Sequence, residues 1–286
     1  MWSAIPIFPK TLPRLIPDTM KSFIAISKII LILLWTAPLL LIQMPIFLLH
    51  KGALSYTIPR LWHKGVCAII GLKTEIRGTS VHNRQVIYVS NHLSYLDIPA
   101  IGAHLKASFI AKEDIAGWPV IGFLARAQQT AFISRSSAKA KKVANALDVM
   151  VKAGKSLILF PEGTSSIGTS VLPFKSSLFS LAQPKDMPPI AIQPFIIDLI
   201  DVNGKPLTPA SRDLYAWYAD MEFGPHIWDF LGQCEAEIDL IFHPIITARP
   251  EDTRKTLCER TYPLVVAGLP PQERVEKPNE EKTDEL

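Results

Sequence analysis

Residues 155–166, KSLILFPEGTSS, decide the reading of the fold. A short apolar run, Leu157 to Phe160, passes straight into Pro161, Glu162 and Gly163. A continuous apolar stretch closed by turn residues reads as a strand buried on both faces. The turn leaves a carboxylate and a glycine at the strand end. Upstream, 136–153 has a serine start, Val143, Ala146, Leu147 and Met150 at helical spacing, and Gly154 as a stop. Further strand-like runs are QVIYVS (85–90), SFIAK (108–112), TAFIS (130–134), IAIQPFIID (190–198) and EAEIDLIFHPI (235–245). Helix-like segments fall at 97–105, 116–127 and 173–183. Strand alternating with helix predicts an α/β fold with a mostly parallel central sheet flanked by helices.

The chain has 286 residues, enough for one large domain or two small ones. Hydrophobic residues make up 48% and mean hydropathy is +0.21, high for a soluble enzyme. The excess sits near the N-terminus. Residues 29–49, IILILLWTAPLLLIQMPIFLL, carry no charge and are long enough to span a bilayer. Pro38 and Pro45 each remove a helix hydrogen bond and predict bends. An amphipathic stretch, 57–73, follows. Two helices lying in one leaflet are expected, with a single span as the competing arrangement. Net charge is +4, yet the first 74 residues hold eight basic residues and one acid, Asp18. That balance suits an anionic cytoplasmic leaflet, hence the cytoplasmic face of the inner membrane. No nucleic-acid module accompanies the basic residues. Three scattered cysteines define neither a disulfide framework nor a zinc site. The expected domains are 1–74, the membrane-associating helices; 75–264, the α/β domain; and 265–286, a disordered charged tail.

A second string, NHLSYLD (91–97), sets His92 five residues ahead of Asp97, directly after a strand-like run. A histidine at a strand end, with a carboxylate to hold its tautomer, can take a proton from an alcohol. The same letters also make a plain turn, with Asp97 as a helix cap before Ile98-Pro99. FPEGTSS likewise reads either as a turn capped by Thr164 or Ser165, or as a substrate-facing loop. In the latter, Gly163 permits close backbone approach and exposed N–H groups stabilise an oxyanion.

NHLSYLD, then TAFISR ending in Arg135, then FPEGTS, then PPIAIQPF follow in one order. This pattern resembles the glycerophospholipid acyltransferase family, bacterial 1-acyl-glycerol-3-phosphate acyltransferases most of all, over roughly residues 80–200. The resemblance implies an O-acyltransferase making phosphatidic acid. His92 would be the general base and Asp97 would orient it. Lys112 and Arg135 would hold an acceptor phosphate, and Glu162, Gly163 and Thr164 would shape the acceptor site. The donor would be acyl-CoA or acyl carrier protein, with no cofactor and no metal. Lys112 also reads as a solvated helix start, and Arg135 as half of a surface ion pair. Two positions depart from the family pattern. Ala131 stands near an expected glycine, and Ser165 stands where many members carry an arginine that binds phosphate. The second departure makes lyso-ornithine lipid acyltransferases, with a zwitterionic acceptor, the alternative. Lys175 is a replacement charge or a solvated lysine. The tract YAWYADMEFGPHIW (215–228) resembles a segment of some of these bacterial enzymes and has no assigned chemistry. A metal-dependent hydrolase would need a second nearby histidine, which the sequence lacks. A non-enzymatic membrane adaptor would not need the base.

Overall fold

The computed structural model describes residues 17–49, 53–134, 146–233 and 235–269. Helix α1 (Asp18–Leu49) is continuous through Pro38 and Pro45, about 48 Å long at 1.5 Å per residue. It begins eleven residues before the expected apolar run, with Asp18 in its first turn, where an acid suits the helix dipole. After a 3-10 turn, Ala53–Tyr56, helix α2 (Thr57–Ile70) folds back on it. Gly65 permits the approach, because a Cβ there would lie 2.1 Å from Trp35 Nε1. Gly71, in the left-handed region, caps α2 and turns the chain into β1 (Leu72–Arg77).

The remaining strands are β2 (Val86–Val89), β3 (Ser108–Lys112), β4 (Ala131–Ile133), β5 (Leu157–Leu159), β6 (Ala191–Val202), β7 (Lys205–Pro206) and β8 (Ala236–Phe242). They form one sheet in the order β1-β8-β6-β2-β5-β3-β4, with β7 on β6. Among the described residues, five strand pairings are parallel, while β6 pairs antiparallel with β7 and with β8. The parallel α/β expectation holds. Strands β2 and β5 are buried at every residue, as continuous apolar runs require.

The helices depart more from expectation. The segment expected at 97–105 is α3 (Asp97–Gly102). The one at 116–127 divides into α4 (Glu113–Ala116) and α5 (Ile121–Ala127), because Pro119 and a left-handed Val120, φ 60°, interrupt it. Of 136–153, the described residues 146–152 are helical (α6). At 173–183 the chain forms only a 3-10 segment, Ser176–Ala182. Three helices were not anticipated: α7 (Pro209–Tyr215), α8 (Phe223–Gln233) and α9 (Arg254–Ala267). The boundary drawn at 74/75 runs through β1, and Ala25, Val66, Cys67 and Ile70 share a core with the sheet. Residues 265–267 of the expected tail complete α9; 270–286 lie outside the described residues.

Helix α1 is tied to the body along its length. Lys28 Nζ donates to Ile70 O (3.1 Å), Trp35 Nε1 to Trp62 O (3.2 Å), and Trp62 Nε1 to Thr36 Oγ1 (2.8 Å). Buried Gln43 donates to Ser55 O (3.1 Å) and Ala127 O (3.0 Å). The opposite face exposes Phe23, Ile30, Leu34, Leu41 and Leu48, a stripe of large apolar side chains.

Candidate active site

The sheet assembles the site from its strand ends. Strands β2 and β5 are parallel neighbours, so the loops leaving them emerge side by side. Asn91 fixes the first loop: its amide donates to Ile197 O (2.9 Å) and its carbonyl accepts from Ile197 N (2.8 Å). The next residue is His92. Its backbone carbonyl accepts from Ser166 N (2.9 Å), joining the two motif loops.

His92 Nδ1 and Asp97 Oδ2 are 2.7 Å apart. Asp97 Oδ2 also accepts from the backbone N–H groups of Leu93 (2.8 Å) and Ser94 (3.0 Å). The carboxylate is fully buried, while the imidazole is 21% exposed. A carboxylate acceptor at Nδ1 assigns the proton to that nitrogen and leaves a lone pair on Nε2. Phe160, last of the apolar run, stacks on the imidazole with centroids 4.2 Å apart and planes 13° apart. Ser94 Oγ accepts from Leu96 N (3.3 Å), a local turn bond ahead of α3, whose first turn has no side-chain cap.

Glu162 is buried, and neither carboxylate oxygen reaches a hydrogen-bond partner among the described residues. Burial pushes its carboxyl up to about 9; the Leu172 and His92 amides, nearby but short of hydrogen-bond geometry, oppose only in part, and the charge of Asp97 adds. The group is therefore a neutral acid near pH 7, able to donate. Gly163 has φ 72°, and Lys175 Nζ lies 2.7 Å from where its Cβ would stand. Thr164 is exposed on the same turn. Ser165 Oγ donates to the carbonyl of Trp217.

The structure thus brings His92, Asp97, Glu162, Gly163 and Thr164 together. Lys112 ends β3, which pairs with β5, so it lies on the same edge of the sheet, two strands from β2 or about 10 Å across. Arg135 lies outside the described residues. Among the described residues no cluster of three or more histidine, cysteine or acidic side chains is arranged to hold a metal ion. Sequence reasoning missed Phe160 as the imidazole's stacking partner. It also gave no role to Tyr215, whose hydroxyl donates to Asp97 Oδ1 (2.9 Å), or to Trp217.

Residues 73–198 match the family model described as Acyltransferase. A lyso-ornithine lipid O-acyltransferase of Rhodobacter capsulatus is 32% identical over 204 residues, 71% of this chain and 72% of that one. The chain belongs to the acyltransferase family. A second lyso-ornithine lipid O-acyltransferase, from Rhizobium meliloti, is 31% identical to this chain over 65% of each. The alignment thus spans just under two thirds of that relative's length. A 1-acyl-sn-glycerol-3-phosphate acyltransferase of Neisseria gonorrhoeae is 29% identical over 69% of this chain and 74% of that one. The crystal structure of the 1-acyl-sn-glycerophosphate acyltransferase PlsC from Thermotoga maritima superposes with a TM-score of 0.61 at 19% identity. It covers 87% of this chain and 93% of that one, which establishes a shared fold.

Proposed function

We propose that the chain is a membrane-surface O-acyltransferase that moves a fatty acyl group from an acyl thioester to the hydroxyl of a lyso-ornithine lipid. The observation that carries acyl transfer is the His92–Asp97 pair at 2.7 Å, with Nε2 left as a base at a sheet edge. Nε2 takes the hydroxyl proton as the oxygen attacks the thioester carbonyl. The new C–O bond forms, the C–S bond breaks, and the imidazolium returns its proton to the departing thiolate. Asp97 stabilises the imidazolium meanwhile. Neutral Glu162 and the N–H groups of its turn supply donors for the acceptor and the oxyanion. The donor is acyl-CoA or acyl carrier protein, with no cofactor or metal.

The acceptor assignment changes the sequence-based emphasis on lysophosphatidate. Ser165 uses its hydroxyl on Trp217 O and brings no charge to the turn, which suits a zwitterionic headgroup better than a phosphate. The lyso-ornithine lipid relatives support the same choice. Lysophosphatidate is the second reading, favoured by the ammonium of Lys175 beside Gly163. The anchoring of α1 along the body, with one apolar face outward, supports a helix lying in the cytoplasmic leaflet of the inner membrane.

The experiment is an acceptor panel. Purified enzyme is given one labelled acyl donor with lyso-ornithine lipid or lysophosphatidate. Faster transfer to lyso-ornithine lipid is expected. His92→Ala abolishes transfer, a loss on the order of 10² to 10⁴ in kcat, while vesicle binding is unchanged. Preference for lysophosphatidate overturns the acceptor assignment, and a His92→Ala enzyme retaining most of its rate overturns the mechanism.

A further inference from the structure

The tract that sequence reasoning left without a role closes on the base from outside the family-matched residues. Helix α7 starts at a capping box, Thr208 with Ser211, and has Pro209 in its first turn. It ends at Ala216, whose ψ of 131° sends the chain out extended. Residues 215–217 then make three hydrogen bonds to the two motif loops. Tyr215 Oη donates to Asp97 Oδ1 (2.9 Å), Trp217 N donates to Leu93 O (2.9 Å), and Trp217 O accepts from Ser165 Oγ.

Asp97 is fully buried, and its two oxygens are used differently. Oδ2 accepts from His92, Leu93 and Ser94; Oδ1 accepts from Tyr215. A carboxylate without solvent needs donors to remain ionised and to hold one rotamer. Tyr215 is itself wholly buried, with Phe230 edge-on to its ring at 6.3 Å. We propose that Tyr215 is a positioning residue for the His92–Asp97 pair, its hydroxyl holding Asp97 in the rotamer that orients the imidazole and limiting how strongly Asp97 binds the imidazole proton. This rests on the acyl-transfer reading above.

The phenol stays protonated and donating: burial raises it well above its ordinary value, and the neighbouring charge of Asp97 adds to the effect. The titratable groups facing the hydroxyl are Asp97, Cys67 on α2 and Tyr95. Those facing Asp97 are also His92 and Glu162. Glu162 is neutral near pH 7, so the imidazole, which takes up the proton in the reaction, is the charge that Asp97 stabilises.

Tyr215→Phe deletes the hydroxyl and keeps the ring. The expected result is a kcat lower by roughly 10- to 100-fold, the value of one hydrogen bond to a charged group, with KM for the acceptor within about twofold. The acid limb of the pH–rate profile moves to higher pH, because Asp97 then holds the imidazole proton more strongly. In an Asp97→Asn background the same substitution costs less than about twofold, since the charge it steadies is gone. Tyr218→Phe is the control: that hydroxyl donates to Asp213 (2.9 Å), and its loss leaves kcat and the profile unchanged. An unchanged kcat and acid limb in Tyr215→Phe, or a full additive loss in the Asp97→Asn background, overturns the proposal. If Tyr215→Phe does not fold, 3-fluorotyrosine at 215 keeps the hydroxyl as a stronger donor. It moves the acid limb to lower pH, and an unmoved limb overturns the proposal. A wild-type enzyme that transfers no acyl group to any acceptor counts against the acyl-transfer reading instead. The His92 Nδ1 proton resonance in histidine-labelled enzyme then decides on Tyr215. It shifts in Tyr215→Phe and not in Tyr218→Phe; if it does not move, the link is absent.

Discussion

The Phe160 ring lies parallel to the His92 imidazole, with the two centroids 4.2 Å apart. The last apolar residue of one motif therefore restrains the base of the other. Hydrogen bonding to Asp97 fixes one edge of the imidazole; the stack fixes its plane. Phe160→Leu keeps bulk but loses the flat contact, worth about 0.5–1.5 kcal/mol for an aromatic pair. Its kcat should fall roughly tenfold, with the circular dichroism spectrum unchanged. Steady-state kinetics with a saturating acceptor check this.

Glu162 gives a pH dependence of stability. Its folded value of about 9 lies above its ordinary value of 4.5, so between those limits the native state holds a proton that the unfolded chain releases. The contribution is fully present below pH 4.5 and is lost as pH rises toward 9. Glu162→Gln, neutral at every pH, removes the dependence. Thermal melts from pH 5 to 9 should show the wild type losing up to roughly 1 kcal/mol per pH unit relative to the variant. Parallel curves would mean that Glu162 is ionised in the folded protein.

Gly163→Ala tests the turn that carries Glu162. An alanine at φ 72° costs roughly 1–2 kcal/mol of backbone strain. Its Cβ also displaces the ammonium of Lys175, 2.7 Å away. A loss of stability in chemical denaturation is expected, together with a raised acceptor KM. Adding Lys175→Ala removes the steric part and leaves the backbone part, so stability should be regained only in part.

The outward stripe of α1 predicts how the enzyme meets lipid. Leu34 is 66% exposed and Leu41 77%, and neither packs on the body. Leu34→Lys with Leu41→Lys should weaken binding to neutral-lipid vesicles at least tenfold, since each buried leucine contributes about 1.5–3 kcal/mol. The melting curve of the lipid-free protein should stay in place. Vesicle flotation against added salt reads the result.

The buried strands were legible because a parallel sheet covered on both faces demands unbroken apolar runs, as in VIYV and LIL. Edge strand β1 was not: of LKTEIR only Leu72 is buried, and Gly71 is all that separates it from α2. Helix α9 was hidden differently. One core position on it is Thr261, a polar letter whose hydroxyl donates internally to Leu257 O (2.7 Å). The prolines of α1 lie inside the helix without ending it, and the helix packs on α2 and α8. In the site, His92, Asp97 and Glu162 could be found because strand ends and short spacing locate them. Tyr215 could not, since it reaches Asp97 across 118 residues and no periodicity links the two.

The clamp formed by residues 215–217 has a consequence for transplanting this catalytic unit between relatives. A chimera cut at the edge of the matched region, residue 198, would import both signature loops and discard the phenol and the peptide group that brace them. The donor fragment must run at least through Trp217. A shorter graft would pair a native-looking base with whatever tyrosine, or none, the recipient happens to bring from its own downstream helix.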